Sequence, residues 1–285
     1  MPTKPSRLLN DIPAAPSLPM IYILGNSHSG STLLGFLLAS NPRIINLGEI
    51  KSKTWLKDRF CSCGHPVNTC PFYQNYFSTF NALKQAAFHK IRSRSLAPLL
   101  LAGKMKTDPD TKANLNQLYS AVSQHVIEHY PDARYWIDTS KSTWLLNAWL
   151  QVIPAKDIRI IWIKRCLHAN VGSFVKRGSS FWSAVINIKI NNLITSRFLK
   201  RNHVTYLEVN YDRFYDAYAE EAAAISAFLG IAVPSSYASL HNHHAISGNR
   251  MTRQSFTDQF SGLRKDDEWH HILSVHQQKI LSWLS

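Results

Sequence analysis

Acidic side chains are scarce in this chain. Eighteen Asp and Glu stand against 32 Lys and Arg in 285 residues, which leaves a formal charge of +14 and a pI near 9.7. So basic a surface suits an anionic partner, whether nucleotide, nucleic acid, sulfated sugar or membrane surface. Cysteine is equally sparse: four residues are too few to scaffold a chain of this length by disulfides. No uninterrupted apolar run reaches the roughly 18 residues that cross a bilayer. The Pro-rich opening MPTKPSRLLNDIPAAPSLPM reads as neither signal peptide nor anchor, so a cytoplasmic location is expected. Internal repeats and low-complexity tracts are missing as well. What is present is apolar content, 45% of the chain, enough for a sizeable core and against disorder as the default.

Residues 1–19 read as a flexible lead-in, because prolines interrupt the stretch up to Pro19. Structure is expected from Met20, where the buried-strand pattern MIYIL ends at Gly25 and STLLGFLLAS follows as a helix stopped by Asn41-Pro42. Further continuous apolar runs lie at Arg43 to Leu47, Tyr135 to Ile137, Ile158 to Ile163 and Val204 to Val209. Continuous apolarity, as opposed to alternation, marks strands covered on both faces. Helical patterns at about Thr111 to His129, Thr143 to Gln151, Leu167 to Lys176 and Ala217 to Leu229 alternate with them, the last stopped by Gly230. The pattern predicts an α/β fold, P-loop-like and three-layered, with a central parallel sheet flanked by helices. One domain is expected over residues 20–285, with a helical insertion at about 51–130 that lies over the sheet edge.

Gly25-Asn26-Ser27-His28-Ser29-Gly30-Ser31-Thr32 joins the first strand to its helix. Backbone N–H groups and a helix N-terminus at such a turn can face an anion, and Ser29, Ser31 and Thr32 add hydroxyl donors. Its two glycines match the opening of GxxxxGK[ST], but Ser31 stands where that motif has its lysine, which disfavours triphosphate hydrolysis. On this motif alone a capped strand-to-helix turn explains the residues as well. A second cluster follows the strand IRIIWI, which ends in Lys164-Arg165 with Ser173 eight residues beyond Arg165. Open α/β sheets bind ligands at strand C-termini, and a guanidinium there can grip a phosphate bidentately.

Together these residues resemble the sulfotransferases that use 3′-phosphoadenosine 5′-phosphosulfate (PAPS). The first turn of that family is similar to [KR]SG[ST]T and here reads HSGST; the Arg…Ser pair that follows a later strand is matched by Arg165 and Ser173. Tyr211-Asp212 followed by FLGI resembles the same family, and LGEI after the first helix, IDTSKS before the middle helix and HAISGNRM near the C-terminus resemble its bacterial and Golgi-type branch. The resemblance runs from about Ile21 to Trp269 and implies PAPS as co-substrate, a hydroxyl- or amine-bearing acceptor, and no metal, nucleic acid or membrane span. It implies that Ser27, His28, Ser29, Gly30, Ser31 and Thr32 hold the 5′-phosphosulfate, that Arg165 and Ser173 hold the 3′-phosphate, and that Arg250 and Arg253 add phosphate contacts. Glu49 resembles the catalytic base and Lys141 the lysine that approaches the sulfonate. His28 departs from the family, standing where Lys or Arg is usual. An imidazole of ordinary pKa is mostly neutral at pH 7, so either the anion protonates His28 or Lys141 supplies the charge.

Tyr211-Asp212 reads as structural, tying neighbouring loops at a strand end. Cys61, Cys63 and Cys70 cluster in CSCGHPVNTC, with His65 between them; disulfide, zinc and free thiols all stay open, since the spacing is not that of an established zinc site. His241, His243 and His244 lack a nearby carboxylate and read as a polar surface loop. Two rival functions remain: a nucleotide-dependent phosphoryl transferase, which lacks its Walker lysine, and a non-enzymatic polyanion binder, supported chiefly by the charge. The acceptor is unreadable, and aromatics such as Trp55, Phe72, Tyr73, Phe181 and Trp182 are expected mainly to fill the core.

Overall fold

The computed structural model describes residues 17–51, 60–88, 105–234, 243–248 and 267–285. Six parallel strands form one open sheet: β1 (Met20–Gly25), β2 (Ile44–Gly48), β3 (Tyr135–Lys141), β4 (Ile158–Lys164), β5 (Tyr206–Asn210) and β6 (His243–Ile246), in the order β5-β4-β1-β3-β2-β6. Central β1 pairs with β3 on one side and β4 on the other, Met20 facing Trp136 and Ile158. The chain leaves β1 toward β2 and leaves β4 toward β5, so the winding reverses between β1 and β4. That reversal opens a crevice beyond the strand C-termini.

Residues Met20 to Leu24 are fully buried, and the strand's two-residue period shares them between two cores. Met20, Tyr22 and Leu24 face a core that contains Trp136, Leu145 and Phe198, under α2 (Phe77–Phe88), α3 (Pro109–His129), α4 (Thr143–Trp149) and α6 (Phe181–Arg201). Ile21 and Ile23 face the opposite core, with Leu34 of α1 (Ser31–Leu38) and Ile225 of α8 (Tyr218–Leu229). A smaller cluster joins α5 (Leu167–Val175) and α6 to α9 (Trp269–Ile272) and α10 (Val275–Leu284), with the short α7 (Arg213–Asp216) following β5. The three layers and the parallel sheet are those expected from the sequence.

Side-chain caps explain several helix starts: Asp108 accepts from Thr111 N at 3.1 Å, Ser142 from Leu145 N at 3.3 Å, and Ser274 forms a capping box with Gln277. Gly230 ends α8 in the left-handed conformation, as its position implied.

Four features differ from the sequence reading. The lead-in is shorter on its C-terminal side, because Leu18 is buried and its carbonyl accepts from the Tyr119 hydroxyl at 3.0 Å; residues 1–16 lie outside the described ones. The insertion helices α2 and α3 pack on a sheet face, while only the turn region that precedes them reaches the β6 edge. The segment holding His243 and His244 is an edge strand and not a surface loop; His244 is buried, and His241 lies outside the described residues. Finally, α6, α9 and α10 are additional to the expected helices; Phe181, Ala184, Val185 and Ile188 of α6 recur at helical spacing and are all buried. Phe72, Tyr73 and Phe181 fill core, whereas Trp182 is exposed; Trp55 lies outside the described residues. Among the described residues, no helix is long and apolar enough to cross a membrane.

Candidate active site

The turn after β1 is held from three directions. Ser29, itself buried, donates its hydroxyl to the Asn26 carbonyl at 2.7 Å. Asn170 of α5 donates to the Ser27 carbonyl at 2.8 Å, and Asn192 of α6 accepts from the Asn26 amide side chain at 2.8 Å. Arg165, just past β4, donates to the His28 carbonyl at 2.7 Å. Gly30 stands at the N-cap of α1 in the left-handed region (φ 91°), with no side-chain cap on the helix. A Cβ at Gly30 would lie 2.0 Å from the Tyr211 ring, so this position demands glycine twice over. The uncapped N-terminus at the reversal of a parallel sheet is the geometry by which backbone amides hold an anion.

The same Arg165 terminal nitrogen that reaches His28 also donates to the Ser173 hydroxyl at 3.1 Å, and the guanidinium lies over the Tyr211 ring, 5.0 Å from its centroid. The two clusters read separately in the sequence thus share one crevice and one side chain. Their position is secured from β5: Tyr211 N donates to the Lys164 carbonyl at 2.8 Å, and Asp212 accepts from Cys166 N at 2.6 Å. This is the loop-tying arrangement anticipated for Tyr211-Asp212.

Glu49 follows β2 and Lys141 ends β3; their side chains form a short ion pair, and Lys141 Nζ also donates to the Thr139 carbonyl at 3.2 Å. Both line a cavity of about 230 Å³ with Gly25, Ser27, Ser140, Ser142 and Thr195. Beneath it, fully buried Asp138 accepts from Ile50 N, Ser140 N and the Ser140 hydroxyl, at 3.3, 2.9 and 2.5 Å. Burial raises the Asp138 carboxyl to about 6 against those bonds. Lys51, which the motif reading passed over, donates to the Ser142 hydroxyl at 3.2 Å, and burial lowers its ammonium.

His28 has φ 64° and packs edge-on against Phe174, ring centroids 5.0 Å apart. Burial, and then the nearby charges of Arg177, Lys141 and Arg165, lower its imidazole to about 4. His28 is therefore neutral at pH 7, and the positive charge around the turn belongs to Arg165, Arg177 and Lys141.

Ser27, His28, Ser29, Gly30, Ser31, Thr32, Arg165 and Ser173 come together at the crevice, with Glu49 and Lys141 on the adjoining cavity wall. Arg250 and Arg253 lie outside the described residues. Sequence reasoning missed Lys51, Asn170 and the α6 contributions Asn191, Asn192 and Thr195. The signal available was the Ser180 cap and apolar period of α6, which would have placed a helix over the turn.

Solved structures align with this chain. A sulfotransferase domain from the curacin biosynthetic pathway is similar at TM-score 0.51 and 15% identity, covering 94% of this chain and 97% of that one. That likeness establishes a common fold. The sulfotransferase domain of the Synechococcus PCC 7002 olefin synthase aligns at TM-score 0.49 and 17% identity, over 97% of each chain. Sulfotransferase STF1 from Mycobacterium tuberculosis H37Rv aligns at 0.49 and 13%, over 93% of this chain and 76% of that one. No family model and no curated protein matches the sequence.

Proposed function

We propose that this protein transfers a sulfonate group from PAPS to a hydroxyl or amine of an acceptor. The observation that carries the reading is Arg165, bonded at once to the Ser173 hydroxyl and to the backbone of the glycine turn. One crevice then offers two anion grips, which suits a nucleotide phosphorylated at both its 5′ and 3′ ends. The turn and the α1 N-terminus would hold the 5′-phosphosulfate, and Arg165 with Ser173 the 3′-phosphate. The acceptor would enter the cavity beside Glu49.

In the reaction the acceptor oxygen or nitrogen forms a bond to sulfur while the bond from sulfur to the bridging phosphate oxygen breaks. Glu49 takes the acceptor proton, and 3′,5′-ADP leaves carrying the electron pair. Charge grows on that bridging oxygen, where the Lys141 ammonium supplies a compensating cation and leaves Glu49 freer to act as base. His28, neutral at pH 7, contributes its backbone carbonyl to the Arg165 grip. The fold shared with the curacin sulfotransferase domain is consistent with this chemistry.

Calorimetry tests the assignment. 3′,5′-ADP is expected to bind without Mg²⁺ and more tightly than 5′-AMP. Arg165→Ala is expected to weaken 3′,5′-ADP by roughly 10- to 100-fold, the worth of about 1 to 3 kcal/mol, and to weaken 5′-AMP by a smaller factor, through the loosened turn alone. Selective binding of ATP with Mg²⁺ would favour phosphoryl transfer instead, and binding only to polyanions with steep salt dependence would favour a non-enzymatic role.

A further inference from the structure

The turn region between β2 and α2 carries a cluster that the transfer reaction does not use. Cys61, Cys63 and Cys70 meet His244 of β6, with the four ligand-type atoms all within 4.8 Å of one another. Cys61 Sγ lies 3.6 Å and Cys70 Sγ 3.4 Å from His244 Nδ1, and Cys63 Sγ lies 3.5 Å from Cys70 Sγ. Tetrahedral zinc with thiolate and imidazole ligands sets edges of about 3.8 Å between sulfurs and about 3.5 Å between sulfur and nitrogen, from bonds of about 2.3 and 2.0 Å. The cluster already has nearly those dimensions. We propose that Cys61, Cys63, Cys70 and His244 form a structural zinc site.

The surroundings fit such a site. His244 Nε2 faces the Tyr130 hydroxyl at 2.5 Å, so with Nδ1 on the metal the Nε2–H donates to Tyr130 and fixes the tautomer. Phe72 stacks on the imidazole, centroids 4.7 Å apart, and Tyr73 donates its hydroxyl to the His244 carbonyl at 2.9 Å. The cysteine turn is pre-shaped: Cys61 N donates to the His65 carbonyl at 2.9 Å and Gly64 N to the Cys61 carbonyl at 3.0 Å. Four protein ligands leave no open position, which marks a structural and not a catalytic metal. Binding converts three thiols to thiolates and releases their three protons to solvent, with Zn²⁺ taking up the charge.

The site has a mechanical consequence. β6 is a four-residue edge strand, paired with β2 through Asn46 opposite His243 and Gly48 opposite Ile246. Ser62 ties the cysteine turn to it in both directions, through its backbone N to the Ala245 carbonyl (3.2 Å) and its hydroxyl from Ala245 N (2.8 Å). Zinc would cross-link that turn to β6, beside the strand that presents Glu49. At the far end of β6, Gly248 approaches the phosphate turn so closely that a Cβ there would meet the Thr32 hydroxyl at 3.0 Å.

Metal analysis of the full chain, purified under reducing conditions, is expected to find about one zinc per molecule, and Co²⁺ exchanged into it should give the intense visible absorption of a tetrahedral thiolate site. Cys70→Ser should lose the metal and the absorption, whereas His244→Cys, which restores a fourth ligand, should keep both. If Cys70→Ser does not fold, chelation of the wild-type protein reads the same question, with a lowered melting temperature expected and restored by added zinc. Metal-free protein that melts unchanged with chelator, all four cysteines reacting freely, would overturn the proposal. So would a thiol count reduced by two, the sign of a Cys63–Cys70 disulfide.

Discussion

Glu49 and Lys141 neutralise one another at the cavity wall, both largely shielded from water. An ammonium paired with the carboxylate lowers its basicity, and the phosphosulfate would draw Lys141 away and leave Glu49 the stronger base. Glu49→Gln keeps the size and a hydrogen-bonding partner for Lys141 but removes the base. Steady-state assays are expected to show turnover reduced by roughly 10² to 10⁴, while calorimetry finds 3′,5′-ADP affinity changed only a few-fold. Near-normal turnover would take Glu49 out of the mechanism. The LGEI segment marks Glu49 as a carboxylate at a strand end; its partnership with Lys141, 92 positions along the chain, is not legible there.

At the scale of elements, the critical joint is the passage from β1 through the glycine turn into α1. Gly30 permits it by taking a left-handed φ and by leaving room for the Tyr211 ring, which in turn lies beneath Arg165. Gly30→Ala pays on both counts, and a loss of about 2 to 6 kcal/mol is expected in urea unfolding, from backbone strain plus overpacking of about 1 to 3 kcal/mol each. Adding Tyr211→Ala should recover the overpacking share but not the strain, so the double variant should be more stable than the two single losses summed. Strict additivity would mean that Gly30 and Tyr211 do not meet.

For the whole molecule, the buried titratable groups set how stability responds to acid. His28 and His125 are both lowered from 6.5 to about 4, chiefly by burial. Between those values the unfolded chain binds protons that the folded chain refuses, so each histidine withdraws stability as pH falls from about 6.5 toward 4. Asp138 acts in the opposite sense: raised from 3.8 to about 6, it keeps its proton in the folded state where the unfolded chain has lost it, and so adds stability as pH falls through that interval. Two histidines outweigh one carboxyl. His28→Gln is expected to shrink the stability lost between about pH 7 and about pH 5 by about 1 kcal/mol, after discount for the partial exposure of His28, read from urea midpoints at the two pH values. An unchanged difference would show that His28 ionises freely in the folded protein.

Local sequence determined the central strands of the parallel sheet, because a strand buried on both faces must be apolar along its whole length, as MIYIL and IRIIWI are. It determined the glycine turn too, since two glycines and three hydroxyls in eight residues describe a local geometry. It did not determine β6 or α6. A four-residue edge strand made of His243, His244, Ala245 and Ile246 has no periodicity of its own and exists by pairing with β2. Likewise, His244 reads as surface until Phe72 and the cysteine turn bury it, and the ion pair of Glu49 with Lys141 joins two strand ends that only the sheet order brings side by side. Short-range chemistry is written along the chain, whereas the meeting of residues far apart depends on loop closures that the tertiary fold alone makes favourable.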